Sequence, residues 1–375
     1  MHHSLAVKDT ALISIVIPAY NAAAFIRRTI ESVLKQTYRN LEVLVVDDGS
    51  RDETAVIVEQ LAREDRRIRL LYQANQGVAA ARNLGIQAAQ GEFIAPIDAD
   101  DLWHPTALAK LLERLQQAGP SAGLAYAWSR DIDEFDRPTG QFRAATIQRQ
   151  VLKTLICHNF IGNASATLVR KQCFDRVGGY STEMKTQQAQ GCEDWDLYLR
   201  IAAQFEFVCV SEFLVGYRKT STSMSGDFRK MARSHTLMLT WVRERHPSLP
   251  DLLYRLSTSS FYVYFAHQSH QYRQPKTTLF WLGQAWQAAP LLTAIRLGLY
   301  PLFLKSLFSV GIQRIYREDS TDPKLGLEGP QPHVSEPASV EQLEQSASST
   351  PPREGLRLGL KLLVGNALHW SLIRS

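Results

Sequence analysis

The chain has 375 residues, 45% of them hydrophobic, so it is long and apolar enough to bury one large core and an appended region. Its 42 Lys and Arg residues against 37 Asp and Glu residues give a formal net charge of +5. Four scattered cysteines form no metal-binding or redox pair, which indicates reduced thiols in a cytoplasmic protein. No charged-then-apolar segment precedes the first predicted strand, so we expect no export signal.

Apolar strands alternate with amphipathic helices through the first part of the chain. Strands are predicted at residues 13–18, 41–46, 68–72, 92–97 and 124–128. Ser50 and Glu53 predict a capping box for the helix that follows the second strand. Strands that alternate with helices form a mostly parallel sheet with helices on both faces, so the predicted fold class is α/β.

Polar side chains follow three of these strands. Tyr20 follows the first strand, Asp48 the second, and the carboxylates Asp98, Asp100 and Asp101 the fourth. Ligands of such sheets bind at the carboxyl ends of the strands, so we expect these side chains to line one site.

The acidic cluster at residues 98–101 is the most informative of the three. Its carboxylates repel one another unless a cation lies between them, and hard oxygen ligands suit Mg²⁺ or Mn²⁺. Asp98 and Asp100 point the same way in an extended segment, so both could reach one metal, or one metal and a ribose. The alternative is an exposed acidic loop that caps the helix predicted to begin near His104.

Phosphate-binding glycine loops are missing from the sequence. The first strand is not followed by Gly-x-Gly-x-x-Gly, and no Gly-x-x-x-x-Gly-Lys-Ser/Thr occurs. Dinucleotide sites and P-loops need such glycines for close approach of the backbone to phosphate. Phosphates would therefore have to be held by a metal and side chains. This arrangement is typical of a nucleotide-sugar site in which a metal bridges the diphosphate.

Five motifs occur in order along residues 12–226: Pro18-Ala19-Tyr20-Asn21, Asp47-Asp48-Gly49-Ser50, Gln76-Gly77 with Ala81-Arg82-Asn83, Asp98-Ala99-Asp100-Asp101, and Glu193-Asp194-Trp195-Asp196. In this order and spacing they resemble the motifs of the catalytic domain of family 2 glycosyltransferases. The resemblance implies the GT-A fold and an inverting enzyme that moves a sugar from a nucleotide-diphosphate donor, with uridine favoured, using Mg²⁺ or Mn²⁺.

The first two motifs would hold the nucleoside, as the resemblance implies. Tyr20 would pack on the nucleobase beside Pro18 and Asn21. Asp48 would accept a hydrogen bond from an N–H group of the base.

The third and fourth motifs would hold the ribose, the metal and the phosphates. The resemblance implies that Asp98 lies near the ribose and the metal, and that Asp100 binds the metal. Asp101 would orient the loop, and Arg82 and Asn83 would steady the phosphates. The alternative for Arg82 is a structural pair with one of the aspartates.

The resemblance makes Asp194 the general base. Inverting transfer needs a carboxylate that takes the proton of the acceptor hydroxyl as its oxygen attacks the anomeric carbon. The alternative role of Asp194 is an N-cap. Glu193, Trp195 and Arg218 are candidate acceptor or loop contacts, as is Asp101. Lys219 and Thr220 stand where the family often has a histidine.

The rest of the chain has a different character. Residues 227–317 are aromatic and basic, with twelve Lys or Arg against three acidic residues, and are predicted to be helical. Residues 318–354 hold eight acidic and two basic residues among Pro, Ser and Gln, which predicts a disordered linker. Residues 355–375 predict an amphipathic cationic helix, and residues 1–11 a flexible N-terminus.

The basic region is expected to lie on a membrane surface. Arg296, Pro301 and Lys305 interrupt its most apolar run, which argues against a span. Cationic helices at anionic headgroups fit better, and place the protein at the cytoplasmic face of a membrane. The acceptor would then be a glycan or lipid-linked, in surface polysaccharide synthesis. The alternative is a helical subdomain packed on the catalytic domain. Without a recognition motif, no nucleic acid is expected as partner.

Two other functions remain open. A sugar nucleotidyltransferase also combines a metal with an α/β sheet, but it would carry a glycine-rich basic loop where residues 18–21 stand. A non-catalytic nucleotide-sugar-binding module would lack the metal-binding aspartates or the base, and this sequence has both.

Overall fold

The structure, a computed structural model, describes residues 11–220 and 227–318. They form two compact units, one of residues 11–155 and 159–220 and one of residues 156–158 and 227–318. The predicted flexible N-terminus, acidic linker and C-terminal amphipathic helix fall, apart from their boundary residues, outside the described residues.

The first half of the sheet in the first unit is parallel. Ile13–Ala19 (β1) lies between Leu41–Asp47 (β2) and Phe93–Pro96 (β4), and Ile68–Tyr72 (β3) pairs with β2. Every residue of β1 is buried, as expected of a strand covered on both faces. The intervening helices are Ile26–Leu34 (α1), Thr54–Glu64 (α2) and Val78–Ala88 (α3).

The second half of the sheet is mixed rather than parallel. Ala122–Ile132 (β6) pairs antiparallel with Pro138–Arg143 (β7) and with Thr167–Arg170 (β8), and parallel with Glu206–Arg218 (β9). Leu102–Trp103 (β5) pairs antiparallel with β9, and β8 joins this half to β4, giving the order β3-β2-β1-β4-β8-β6-β9-β5. The predicted α/β class is confirmed.

Shorter helices complete the first unit. Ala107–Gln117 (α4) buries Leu108, Leu111, Leu112 and Leu115 completely, because their spacing of three and four residues forms one apolar stripe. The other helices are Leu152–Cys157 (α5), which ends in the second unit, Lys171–Val177 (α6), Glu183–Thr186 (α7) and Glu193–Ala202 (α8).

The capping box predicted for α2 is wrong. The helix begins at Thr54, and the Glu53 side chain makes no cap hydrogen bond. The Ser50 hydroxyl instead accepts the N–H of Asn21, 2.9 Å away on the segment after β1. Asp52 supplies the local acceptor, since its Oδ1 lies 3.1 Å from the Thr54 nitrogen.

The second unit is helical, as the sequence predicted. Its core contains Met231, Phe265, Ala266, Trp281, Leu282, Leu299 and Leu302. No helix within residues 11–220 and 227–318 is both long and apolar enough to span a bilayer. The helices are Phe228–Arg245 (α9), Asp251–Gln271 (α10), Pro275–Ala288 (α11), Pro290–Ala294 (α12) and Leu299–Glu318 (α13).

Candidate active site

The carboxyl ends of β1, β2 and β4 meet at one edge of the sheet. Backbone hydrogen bonds align them: the Asp48 N–H donates to the Ala19 carbonyl at 2.8 Å, and the Ile97 N–H to the Val16 carbonyl at 3.0 Å. A cleft of about 550 Å³ opens there. The predicted site residues that line this cleft are Pro18, Tyr20, Asn21, Asp48, Arg82, Asp98, Asp100 and Arg218.

The ends of β1 and β2 are tied together by Asn21. Its backbone has φ 50°, a left-handed conformation that asparagine tolerates better than most residues. Its Oδ1 accepts the Arg51 N–H at 2.9 Å. The neighbouring Tyr20 side chain is 48% exposed, so its ring is open to a planar ligand.

The Asp48 carboxylate fixes the segment that leads into α3. It accepts the backbone N–H groups of Gln76 and Gly77 at 2.7 and 2.8 Å, and the Gln73 side-chain amide at 2.6 Å. Gly77 has φ 89°, a conformation suited to glycine. A nucleobase N–H would share this carboxylate with donors from the protein.

Asp48→Asn should therefore destabilise the fold. An amide has one acceptor oxygen, so one of the two backbone N–H groups would face another donor. We expect the free energy of unfolding to fall by about 1–3 kcal/mol, measured by urea denaturation. Asp175→Asn, at an exposed carboxylate on α6, is the matched control. Equal midpoints for both variants would show that Asp48 does not hold the segment.

Arg82 joins the two acidic motifs. Its side chain on α3 is 4% exposed, with Nη2 lying 2.5 Å from Asp98 Oδ1 and Nη1 lying 2.6 Å from Asp194 Oδ1. The Tyr180 ring packs 5.0 Å from the guanidinium carbon. Two carboxylates about a hundred residues apart in the sequence thus pair with one guanidinium group. A structural pair with an aspartate was the predicted alternative for Arg82, but pairing with Asp194 was not predicted from the sequence.

Asp194 lies in the first turn of α8, where the helix dipole favours a carboxylate. It is not the N-cap, which is Cys192. Burial raises the pKa of Asp194 to about 7, with Asp98 and Glu193 acting in the same direction and the Arg82 charge opposing them. A carboxylate that titrates near neutrality suits a general base. Asp194 is not among the residues that line the cleft, but it pairs with Arg82, which does line it.

Asp100 and Asp101 have different surroundings. Burial and the Asp98 charge raise the pKa of Asp100 to about 6, against Arg218 and Lys219. Within residues 11–220 and 227–318, no other residue donates a hydrogen bond to the Asp100 carboxylate, which has only its own backbone N–H as a donor. Asp101 is fully buried and accepts the Ser165 hydroxyl at 2.5 Å and the Arg218 N–H at 2.8 Å. These contacts hold the acidic loop in place.

The residues present fit a divalent cation that is shared with a ligand. Asp98 and Asp100 offer oxygen atoms at the cleft. The pKa of Asp100 is raised first by burial and then by the Asp98 charge, and a bound cation would oppose both effects. In the part of the chain that the structure describes, no three His, Cys, Asp or Glu residues form a complete metal cage. Mg²⁺ is often held by one or two carboxylates plus substrate phosphates, which matches this arrangement.

Three predicted residues lie around the cleft rather than along it. Both ends of the Asn83 amide bond the Tyr180 backbone at 2.8 Å. The Trp195 indole donates to the Leu155 carbonyl at 2.8 Å and is buried. Glu193 is buried and accepts the N–H of Gly191, 2.8 Å away. Their roles toward donor or acceptor stay predictions.

Arg218 lines the cleft and braces the acidic loop. Its guanidinium is fully buried and donates to the Asp100 carbonyl at 2.6 Å and to Asp136 Oδ1 at 2.5 Å. Its carbon lies 4.8 Å from the centre of the Phe25 ring. Arg218 therefore fixes the Asp100 backbone while placing positive charge beside its carboxylate.

Lys185 and Gln190 also line the cleft, and the sequence analysis did not single them out. Lys185 lies on α7, and its Nζ donates to the Asn75 carbonyl at 3.0 Å and to Asn75 Oδ1 at 2.7 Å. The one available signal was a lysine in a polar segment just before the fifth motif. No periodicity marks such a residue, because its position depends on how two loops meet.

Part of the chain is similar to glycosyltransferase family 2. Residues 14–178 match the family model described as Glycosyl transferase family 2. Glycosyltransferase GlyG of Streptococcus pneumoniae serotype 4 is 41% identical over 177 residues, which cover 44% of this chain and 59% of that protein. Chondroitin synthase of Escherichia coli is 30% identical over 220 residues, covering 57% of this chain and 30% of that protein. The matches thus span less than two thirds of either relative.

Solved structures share the fold. S. aureus TarS 1-349 in complex with UDP-GlcNAc superposes with a TM-score of 0.53 at 18% identity, over 82% of this chain and 91% of that one. The mannosyltransferase PcManGT from Pyrobaculum calidifontis, in complex with GDP-Man and Mn²⁺, gives 0.52 at 21% identity, over 84% and 91%. The predicted GT-A architecture with C-terminal helices is confirmed.

Proposed function

We propose that this protein transfers a sugar from a nucleotide-diphosphate donor, a UDP-sugar in the first instance, to an acceptor hydroxyl with inversion. The observation that carries the proposal is the Arg82 bridge, which brings Asp194 and Asp98 together at the edge of the cleft. Tyr20 and Asp48 line the same cleft and suit a nucleoside. A donor and a base can therefore meet in one place.

The proposed chemistry assigns the proton to Asp194. Its carboxylate takes the proton of the acceptor hydroxyl while that oxygen bonds to the anomeric carbon. The bond from the anomeric carbon to the diphosphate oxygen breaks on the opposite face, and the diphosphate leaves with the electron pair. Arg82 favours the anionic form of Asp194 that this step requires, because it lowers the pKa of that carboxyl against the effect of burial.

Asp98 and Asp100 would hold Mg²⁺ or Mn²⁺. The cation, when bound, stabilises negative charge on the leaving diphosphate. The neighbours described with UDP-GlcNAc and with GDP-Man and Mn²⁺ support a nucleotide sugar and a divalent metal. The Asp100 carboxylate, to which no other described residue donates a hydrogen bond, is the ligand that contributes most in this proposal.

Asp100→Ala should remove the metal dependence of donor binding. We expect Mn²⁺ to raise the thermal midpoint of the wild type in the presence of UDP, and to leave that of the variant unchanged. Transfer should fall on the order of 100-fold or more, as when one electrostatic partner of a transition state is lost. The exposed Asp175→Ala is the control. A full Mn²⁺ response in Asp100→Ala would place the metal elsewhere.

The acceptor is proposed to be a glycan or a lipid-linked sugar, in surface polysaccharide synthesis at the cytoplasmic face of a membrane. The similarity to a chondroitin synthase supports a polysaccharide product. The basic helical unit supports a membrane surface, through the cationic residues of 227–317.

A donor panel tests the function directly. Purified protein is screened against UDP-, GDP- and dTDP-sugars by thermal shift with Mn²⁺, and the best donor is then assayed for release of nucleoside diphosphate with glycan and lipid-linked acceptors. Stabilisation by one donor with acceptor-dependent release supports transfer. Donor binding without release under any acceptor indicates a binding module. Formation of a nucleotide sugar from a triphosphate and a sugar phosphate indicates a nucleotidyltransferase.

A further inference from the structure

The last described helix of the second unit, α13, packs through a narrow and partly polar stripe. Among residues 299–311 of this helix, the buried positions are Leu299, Leu302 and Ser306, at a spacing of three and four residues. The Ser306 hydroxyl is buried without a hydrogen-bond partner among the described residues. This side of the helix therefore adds two leucines to the core, while the other large apolar residues of α13 lie elsewhere on its surface.

Those large residues face outward instead. Tyr300, Phe303, Leu304, Leu307 and Phe308 are between 45% and 72% exposed. Steps of three and four residues place them on one continuous side of the helix. A helix of a water-soluble protein normally turns such a side toward the core. Contiguous exposed apolar surface of this kind marks an interaction site.

The apolar surface continues onto the preceding helices. An apolar groove of about 350 Å³ is lined by residues of α11, α12 and α13, including Trp286, Tyr300 and Phe303. Leu291 on α12, 83% exposed, and Leu297 in the segment before α13, 77% exposed, add to this surface. The outward side chains of α13 together with Trp286, Leu291, Ile295 and Leu297 are called the apolar face below.

Charge identifies the surface that would cover this face. Residues 252–311 contain five Lys or Arg and no Asp or Glu, so no carboxylate of that segment repels an anionic partner. Lys305 is exposed and adjoins Leu304 on α13, and its long stem can lie along apolar surface while the ammonium group reaches headgroups. Tyr300 and Trp286 have the apolar body and polar tip that suit a membrane–water interface.

We propose that the apolar face inserts into the headgroup region of an anionic phospholipid bilayer, with α13 lying in the membrane plane. The exposed aromatic and leucine side chains enter the acyl boundary, and the cationic residues of 252–311 contact the phosphates. This deepens the membrane location in the proposed function by assigning it to a defined surface, and it is independent of the transfer chemistry.

Flotation of the full-length chain with vesicles tests the proposal. Vesicles of phosphatidylcholine mixed with phosphatidylglycerol are compared with vesicles of phosphatidylcholine alone. We expect binding to the mixed vesicles that weakens with salt, and a loss of about 10-fold or more in Leu304→Ser/Phe308→Ser, because two inserted side chains are removed. Both positions are exposed, so the variant should fold. Val56→Ser/Tyr72→Ser, at exposed apolar residues of the first unit, should bind like the wild type.

Three results would overturn the proposal. Unchanged binding of Leu304→Ser/Phe308→Ser would assign the anchor to another segment, such as residues 355–375. Equal binding to both vesicle types would remove the role of charge. A dimer in solution that this variant converts to a monomer would assign the face to a second copy of the chain. Asp194→Asn separates membrane binding from sugar transfer, since we expect it to bind vesicles normally while transfer is lost. If the wild type and all variants fail to transfer sugar, that result contradicts the proposed function and leaves the membrane proposal standing.

Discussion

Asp194→Asn should abolish sugar transfer while the nucleotide still binds. The amide keeps the size of the carboxylate and an oxygen that can accept from Arg82, so the bridge geometry can persist. It cannot take a proton from an acceptor hydroxyl. General-base catalysis typically contributes about 10²–10⁴-fold, which is the expected fall in kcat. Release of nucleoside diphosphate with acceptor gives the rate, and calorimetric titration of UDP with Mn²⁺ gives the affinity.

The pH profile of the wild type provides a second measurement of the same residue. Because the pKa of Asp194 is raised to about 7, its carboxylate is anionic above that pH and protonated below it. The base acts only in the anionic form, so kcat/KM should be level above pH 7 and fall tenfold per pH unit below it. In Asp194→Asn the residual rate should lack this acidic limb.

Two other carboxylates, Asp175 and Glu193, provide the control for this prediction and the next candidate if it fails. Asp175→Asn should retain the rate and the acidic limb of the wild type. Transfer at the wild-type rate in Asp194→Asn would assign the base to another group, and Glu193 would be tested next because its buried carboxyl also has a raised pKa.

The parallel half of the sheet could be predicted because its signals are local. Runs of β-branched and aliphatic residues mark β1, β2 and β3, and the boundaries differ from the predicted ones by at most one residue. The same reasoning places three polar clusters at strand ends, where they line the cleft. Local sequence is enough for the buried strands β1 and β2 and also for the partly exposed edge strand β3.

The connections between distant segments could not be predicted in this way. Ser50 has the spacing of a capping residue, yet its hydroxyl bonds to Asn21, which reaches it through the pairing of β1 with β2. The direction of β8 depends on β4 and β6, and not on its own residues. Pairing of Arg82 with both Asp98 and Asp194 requires α3, the acidic loop and α8 to be in place together. Such contacts are properties of tertiary packing.

Arg82→Met should cost both stability and activity. The side chain is 4% exposed and pairs with two carboxylates, so its removal leaves Asp98 and Asp194 without their shared cation. Deleting one partner of a fully buried ion pair costs about 3–5 kcal/mol. Because the Asp98 and Asp194 side chains are 27% and 24% exposed, solvation of the remaining charges lowers the cost here to about 1–3 kcal/mol. We expect the free energy of unfolding, measured in urea, to fall by about that amount. Arg67→Met is the matched control, since its pair with Asp65 is 30% and 25% exposed and should contribute no more than about 1 kcal/mol.

The same variant should move the acidic limb of the transfer profile. Arg82 lowers the pKa of Asp194, so without it the carboxyl stays protonated to higher pH and transfer at neutral pH falls. Arg82→Lys keeps one positive charge but lacks the planar fork that reaches both partners, and should lie between the wild type and Arg82→Met in limb position and stability. If folded Arg82→Met shows the acidic limb of its pH–rate profile at the same pH as the wild type, the guanidinium does not set the protonation of Asp194. Coincidence of the Arg82→Met and Arg67→Met unfolding curves would contradict a bridge between the two acidic motifs.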